Sequence, residues 1–354
     1  MRAKVTVNLD HIKYNSYLIQ NNCKRFGVEV AAVTKMHSAS APICRALVES
    51  GVRILADSRI ENLQSIQQIP CEKWLLRLPA LSIAEEVVLY SDASLNSEVE
   101  TIERLNHFAL RHNKIHNVIL MWDLGDLREG YFNFKEIETV INQIKNLSNI
   151  RLYGLGTNLS CYGAIMPTVE NLNELVKVAH DLEEKTGVVF RYISGGNSTS
   201  YTLILDGNLP NGINQLRIGD TFYFGRDMSR RTYLDDMKHD CFVLSCEIIE
   251  IKEKPSMPIG KSGYAALNTK PTFTDIGIRL RAICSVGKQD IDLDLIPKDP
   301  KISILGASSD HLLVDITDSE NSYHVGDILQ FDMLYTAVMR SFTSKYVDKE
   351  YIDI

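Results

Sequence analysis

The 354-residue sequence has no apolar run near the ~18 residues that a membrane helix requires. Its start, MRAKVTVNLDHIKYN, lacks the apolar stretch and small-residue cleavage site of a signal peptide. There is no basic tail or stripe, and the net charge is −7, which argues against nucleic-acid and anionic-membrane partners. The seven cysteines (Cys23, Cys44, Cys71, Cys161, Cys241, Cys246, Cys284) include no CxxC pair. Zinc ribbons and disulfide frameworks are thereby disfavoured, and a reducing cytoplasm is the expected setting. The histidines show no metal spacing. With 45% hydrophobic and 23% charged residues, what is left is a globular protein with ample core that binds something small.

The first two thirds alternate short apolar runs with helical patterns. Strands are predicted at Val28–Lys35, Val52–Asp57, Trp74–Leu78, Ala93–Asn96, Asn117–Asp123, Arg151–Thr157, Val188–Ile193 and Gln215–Phe224. Between the first two, Ser40, Pro42 and Gly51 punctuate a helix. Ile137, Val140, Ile141, Ile144 and Leu147 fall on one helical face, and so do Leu172, Leu175, Val176, Ala179 and Leu182. Eight βα units predict an α/β fold, a (β/α)8 TIM-type barrel. An open doubly wound sheet is the runner-up, but TKMHSAS is not the glycine-rich turn it needs after the first strand. Beyond about residue 230 the pattern turns to β-rich runs: CFVLSCEIIEI, GIRLRAICSVG, KISILGA, HLLVDI and DILQFDMLY. The expected division is a barrel over 1–230 and a smaller, mostly β domain over 231–354.

Barrel chemistry gathers where strands run into the loops that follow them. Those positions hold Lys35, Asp57, Arg77, Asn96, Asp123 with Arg128, Thr157 with Asn158, Ser194–Ser198 and Arg217. Lys35 has the chemistry for a Schiff base with an aldehyde cofactor such as pyridoxal phosphate, or it is an ordinary surface lysine. Gly195, Gly196, Asn197 and Ser198 suit an anion nest, or a plain turn. Arg217, inside an apolar strand, needs a partner: a carboxylate such as Asp220, or a ligand. Arg128 can clamp a substrate carboxylate or pair with Asp123 or Asp126. His311 and the Lys288–Asp290 step follow β runs of the second domain. Cys161 reads as a buried, inert thiol rather than an acid/base group.

The motifs VTKMHSA, ILADSRIENL, WDLGDLREG, GLGTNLSCYG, SGGNSTS, INQLRIGDTFYFG, RAICSVGKQD and ILGASSDHLLVD span most of the chain. In that order they resemble the alanine racemase type of pyridoxal-phosphate enzyme, and more narrowly its ornithine racemase branch. The resemblance implies that Lys35 carries the cofactor and serves as one acid/base. It implies that Arg217 donates to the cofactor's pyridine nitrogen and that Ser198 holds its phosphate, with Gly196, Asn197 and Asn158 also against the cofactor. Arg128, with Ser309 and Asp310, is placed near the substrate. Three positions depart from the family pattern. Ala39 stands where a phosphate-holding tyrosine is usual, Met121 where many members carbamylate a lysine, and Lys288 where the second base is a tyrosine. Lys288, Asp290 and His311 are therefore the candidates for that base. The implied activity is racemisation of ornithine in a head-to-tail homodimer with shared sites. Alanine, serine or lysine as substrate, a related decarboxylase or aldolase, and a non-catalytic cofactor-binding barrel remain alternatives. For an ornithine side-chain ammonium, Asp126, Asp227 and Asp290 are the candidate acceptors.

Overall fold

The computed structural model describes residues 2–261, 263–264 and 272–353. The chain begins with strand β1 (Lys4–Asn8) and helix α1 (Leu9–Lys24). Eight parallel strands then close into a barrel in sequence order. They are β2 (Glu29–Val33), β3 (Ile54–Asp57), β4 (Glu72–Leu75), β5 (Ala93–Asn96), β6 (His116–Met121), β7 (Ile150–Gly156), β8 (Tyr192–Ser194) and β9 (Gln215–Ile218). Each overlaps one of the eight runs read from the sequence, so the barrel is confirmed over the open sheet.

Three strands differ clearly from the reading. The run over Trp74–Leu78 falls instead at Glu72–Leu75. The run over Gln215–Phe224 stops at Ile218, and Asp220–Phe224 is a helical turn closed by Gly225 in a left-handed conformation. Phe222, Tyr223 and Phe224 are all buried, so tertiary packing overrides their β preference. The seventh strand begins only at Tyr192, because Val189 stands 82% exposed.

The barrel interior is a packed core. Ala31, Val33, Ile54, Ala56, Trp74, Ala93, Leu95, Ile119, Met121, Tyr153 and Tyr192 form one buried cluster. Trp74 and Tyr192 meet edge to face at 5.3 Å between ring centres, and Tyr153 meets Tyr192 at 5.1 Å. Their polar tips are satisfied: Tyr192 donates to Glu29 at 2.7 Å and Trp74 to Glu72 at 3.0 Å. Of the two predicted helical stripes, Ile137, Val140, Ile141 and Ile144 are buried along one helix, which Asn133 caps. Leu147 lies beyond its end. In the second, a Thr168–Asn171 capping box starts the helix and Gly187 ends it; Val178 rather than Val176 is buried.

Arg226–Asp227 (β10) and Thr232–Tyr233 (β11) form a small ribbon. The remaining strands are β12 (Phe242–Pro255), β13 (Ile278–Cys284), β14 (Leu295–Pro297), β15 (Ser303–Ala307), β16 (Leu312–Asp315), β17 (Ile328–Met333) and β18 (Asp348–Ile352). With β1 they make an eight-stranded sheet in the order β14-β17-β12-β13-β16-β15, with β1 joined to β12 and β18. The pairs are antiparallel except β1 with β18.

Two compact units result: Asp10–Lys35 with Ala39–His239, and Met1–Leu9 with Met36–Ser38 and Asp240–Ile354. The division thus falls after His239 rather than at 230. The β10–β11 ribbon and two Asn15–Lys238 hydrogen bonds of 2.9 and 2.8 Å keep the chain with the barrel past that point. All seven cysteines are free thiols, and among the described residues no helix is long and apolar enough to cross a membrane.

Candidate active site

In the barrel unit, register brings together residues far apart in sequence. β2 pairs with β9, Ala31 opposite Arg217 and Ala32 opposite Ile218. Lys35, two residues past β2, therefore stands beside the end of β9. It is exposed at the start of a short 3-10 turn. The next loop joins at the same end: Ser198 Oγ accepts the Gly219 N–H at 3.0 Å. Beneath Lys35, Thr34 donates to the buried Asp57 carboxylate at 2.7 Å, and Ala56 accepts the Thr34 N–H at 2.8 Å.

Arg217 is 3% exposed. One terminal nitrogen donates to the Thr157 carbonyl and the other to Ser194 Oγ. No bond joins it to Asp220; main-chain and hydroxyl oxygens of β7 and β8 are its partners. Burial pulls its guanidinium down to about 10, while the Glu129 charge works against that fall and Arg128 adds to it. It therefore stays protonated at neutral pH.

The loop after β8 is a concave turn. Gly196 has φ +105°, and a β-carbon there would stand 2.7 Å from Ser200 Oγ. Among the described residues, the N–H groups of Gly196, Asn197 and Ser198 have no acceptor. Asn197 stiffens the turn: its Oδ1 accepts from Thr199 N at 2.9 Å and Thr199 Oγ1 at 2.8 Å, and its Nδ2 donates to the Leu159 carbonyl at 2.7 Å. Thr157 Oγ1 is buried without a partner. Unclaimed N–H donors, the Ser198 hydroxyl and an orphaned hydroxyl fit a phosphorylated ligand.

Arg128 pairs with neither Asp123 nor Asp126. Its Nε and Nη2 donate to Glu129, and its Nη1 lies 2.7 Å from Cys161 Sγ. Cys161 is exposed rather than buried. Asp123 is taken by the N–H groups of Gly125 and Leu127. Asp126 accepts Tyr162 N at 2.9 Å and Ile165 N at 3.1 Å, so it knits two loops together. Asp227 is likewise engaged by Thr202, Ser229 and Arg230. Asn158 donates to Glu129 at 3.3 Å and accepts from Asn197 at 3.4 Å. Glu129 thus touches Arg128 and Asn158 and acts electrostatically on Arg217, and the sequence reading did not single it out.

The C-terminal unit gathers the second set. Lys288 N donates to Ser308 O at 2.8 Å and Gln289 N to Ser309 O at 3.0 Å. Lys288, Asp290, Ser309, Asp310 and His311 therefore lie in one pair of loops. Arg340 donates to the Lys288 carbonyl. Asp290 accepts from Ser344 Oγ at 2.6 Å, Asp310 from Ser309 Oγ at 2.6 Å, and His311 Nδ1 lies 3.4 Å from Ser308 Oγ.

The fold class is a closed parallel α/β barrel, whose loops bring a lysine, a donor nest and a buried arginine to one end. The chain belongs to the alanine racemase family, whose N-terminal domain model matches residues 7–227. It is 45% identical to the ornithine racemase of Acetoanaerobium sticklandii over 351 residues, 99% of each chain. It is 36% identical to the lysine racemase of Thermotoga maritima over 98% of each. Among solved structures, alanine racemase from D-cycloserine-producing Streptomyces lavendulae superposes with a TM-score of 0.78 at 16% identity, covering 99% of this chain and 97% of that one. The Bartonella henselae alanine racemase with covalently bound pyridoxal phosphate gives 0.74 at 17%, covering 99% of this chain and 100% of that one. At such identities the structures establish the shared fold.

Proposed function

We propose that the protein is a pyridoxal-phosphate-dependent racemase that interconverts L- and D-ornithine. The observation that carries this reading is the junction of Lys35, the nest at 196–198 and Arg217 at one barrel end, in a chain 45% identical to an ornithine racemase end to end. Lys35 would hold the cofactor's aldehyde carbon, Ser198 with the N–H groups of Gly196 to Ser198 its phosphate, and Arg217 its ring nitrogen. When bound, the cofactor draws electrons from the substrate Cα and acidifies its hydrogen.

The rest falls to this chain's own side chains. Inversion at Cα needs one base on each face. Lys35 Nζ removes or returns the proton on one. A C-terminal group serves the other, and Lys288 leads the candidates: its main chain is fixed on both sides, whereas the Asp290 carboxylate is held by Ser344. Arg217, protonated and bonded to Thr157 and Ser194, has no proton to spare and keeps the ring nitrogen bare. By giving the ring nitrogen no proton, Arg217 would disfavour transamination as a competing outcome. Arg128 binds the substrate carboxylate. The C-terminal base comes from a second copy, in a head-to-tail homodimer with two sites. The setting is cytoplasmic.

The test is chiral chromatography of L-ornithine, L-lysine and L-alanine incubated with cofactor-loaded protein, beside a Lys35→Ala variant. D-ornithine should form fastest, and the variant should lose both turnover and the visible absorption of lysine-bound cofactor. A faster reaction with lysine would move the assignment to the activity named for the Thermotoga relative. Retained absorption in the variant would remove Lys35 from its role.

A further inference from the structure

We propose that Glu129 is a positioning residue, whose carboxylate grips Arg128 by its Nε–Nη2 edge and so leaves the other terminal N–H groups for the carboxylate of the substrate. The inference rests on the reading of Arg128 just given.

Arg128 stands on a loop with its side chain 36% exposed, while the Glu129 side chain is only 10% exposed. Glu129 Oε2 accepts from Nε and Oε1 from Nη2. A guanidinium has five N–H donors in a rigid plane. Glu129 takes two and Cys161 Sγ one, leaving one on each terminal nitrogen. That is the number a second carboxylate needs for a forked contact.

The contact also settles a conflict of charge. Arg128 and the buried Arg217 repel each other, and Glu129 attracts both. Without an anion there, the exposed guanidinium would swing towards water and lose its fixed direction. Glu129 Oε1 further accepts Asn158 Nδ2 at 3.3 Å, and Asn158 accepts from Asn197 at 3.4 Å. The carboxyl end of the site is thus tied to the donor nest.

Loop folding does not account for Glu129. Tyr131 N to Met121 O at 2.8 Å and Asp123 N to Tyr131 O at 3.0 Å close the loop, and Asp123 accepts two N–H groups inside it. The Glu129 carboxylate bonds Arg128 and Asn158 and attracts Arg217.

The experiment compares Glu129→Gln, Glu129→Asp and Arg128→Ala as cofactor-loaded enzymes, with propionate as a competitive probe of carboxylate binding. In Glu129→Gln the KM for ornithine and the inhibition constant of propionate should rise together by about tenfold, with a smaller change in kcat. The visible absorption, cofactor affinity and thermal midpoint should stay put. Glu129→Asp, which keeps the charge, should recover part of the loss; it carries the comparison if Glu129→Gln does not fold. Unchanged propionate binding in Glu129→Gln, with binding lost in Arg128→Ala, overturns the inference and leaves the reading of Arg128 standing. Unchanged binding in Arg128→Ala removes Arg128 from substrate binding, and Glu129 with it.

Discussion

Gly287 lies against the main chain of His311: a β-carbon at Gly287 would stand 2.5 Å from His311 N, and 2.4 Å from Ser309 O and Asp310 N. All three are backbone atoms, which have nowhere to turn aside. Gly287→Ala should therefore cost about 1–3 kcal/mol and push apart the loops that carry Lys288 and His311. Urea unfolding and kcat measured together check this; an unchanged midpoint with full activity would refute it.

Ser198 joins the nest to β9 through Gly219 N at 3.0 Å, and its hydroxyl is the side-chain donor offered to a phosphate. Ser198→Ala should weaken cofactor binding about tenfold, the worth of one hydrogen bond to a charged group. Spectrophotometric titration with pyridoxal phosphate gives the constant directly, and an unaltered value would take Ser198 out of the cradle.

Acid should destabilise the protein through buried histidines. Burial pulls His116 from 6.5 down to about 3, and His37 likewise. Between those pH values the unfolded chain binds protons that the folded chain refuses, so stability falls as pH drops from 6.5 towards 3. The effect per histidine is on the order of a few kcal/mol. His116→Gln, which can still meet Ser94, should flatten the decline between pH 6.5 and 4.5 in denaturant titrations. A slope equal to that of the parent protein would exclude His116 as a source.

Removing one of two bases should abolish inversion yet spare exchange on the other face. Lys288→Ala should lose at least about a hundredfold in racemisation, while Lys35 still exchanges the Cα hydrogen of one enantiomer with solvent deuterium. The same pattern in Asp290→Asn or His311→Ala, and not in Lys288→Ala, would transfer the role.

Much of this was legible in the sequence because barrel strands are short, apolar and set apart by polar loop starts. All eight runs were recognisable on that basis, and so was the place of Lys35, Ser198 and Arg217 at or near strand ends. What escaped depends on partners distant in the chain. VTVN at the N-terminus is too short to announce a strand until β12 and β18 are beside it. TFYF reads as strand, and only burial on every side makes it a turn of helix. Glu129 follows Arg128 directly, and neighbours in sequence are seldom suspected of pairing; Asp123 and Asp126 looked the better partners until their oxygens proved to be held by main-chain N–H groups.

The place of β1 bears on how the protein is made. β1 docks between β12, which follows more than 230 residues later, and β18, which follows more than 330 residues later. β1 has both of its neighbours only once β12 and β18 have been made. A chain stalled or clipped before residue 348 carries an orphaned β edge at its head, ready to seek a mate elsewhere.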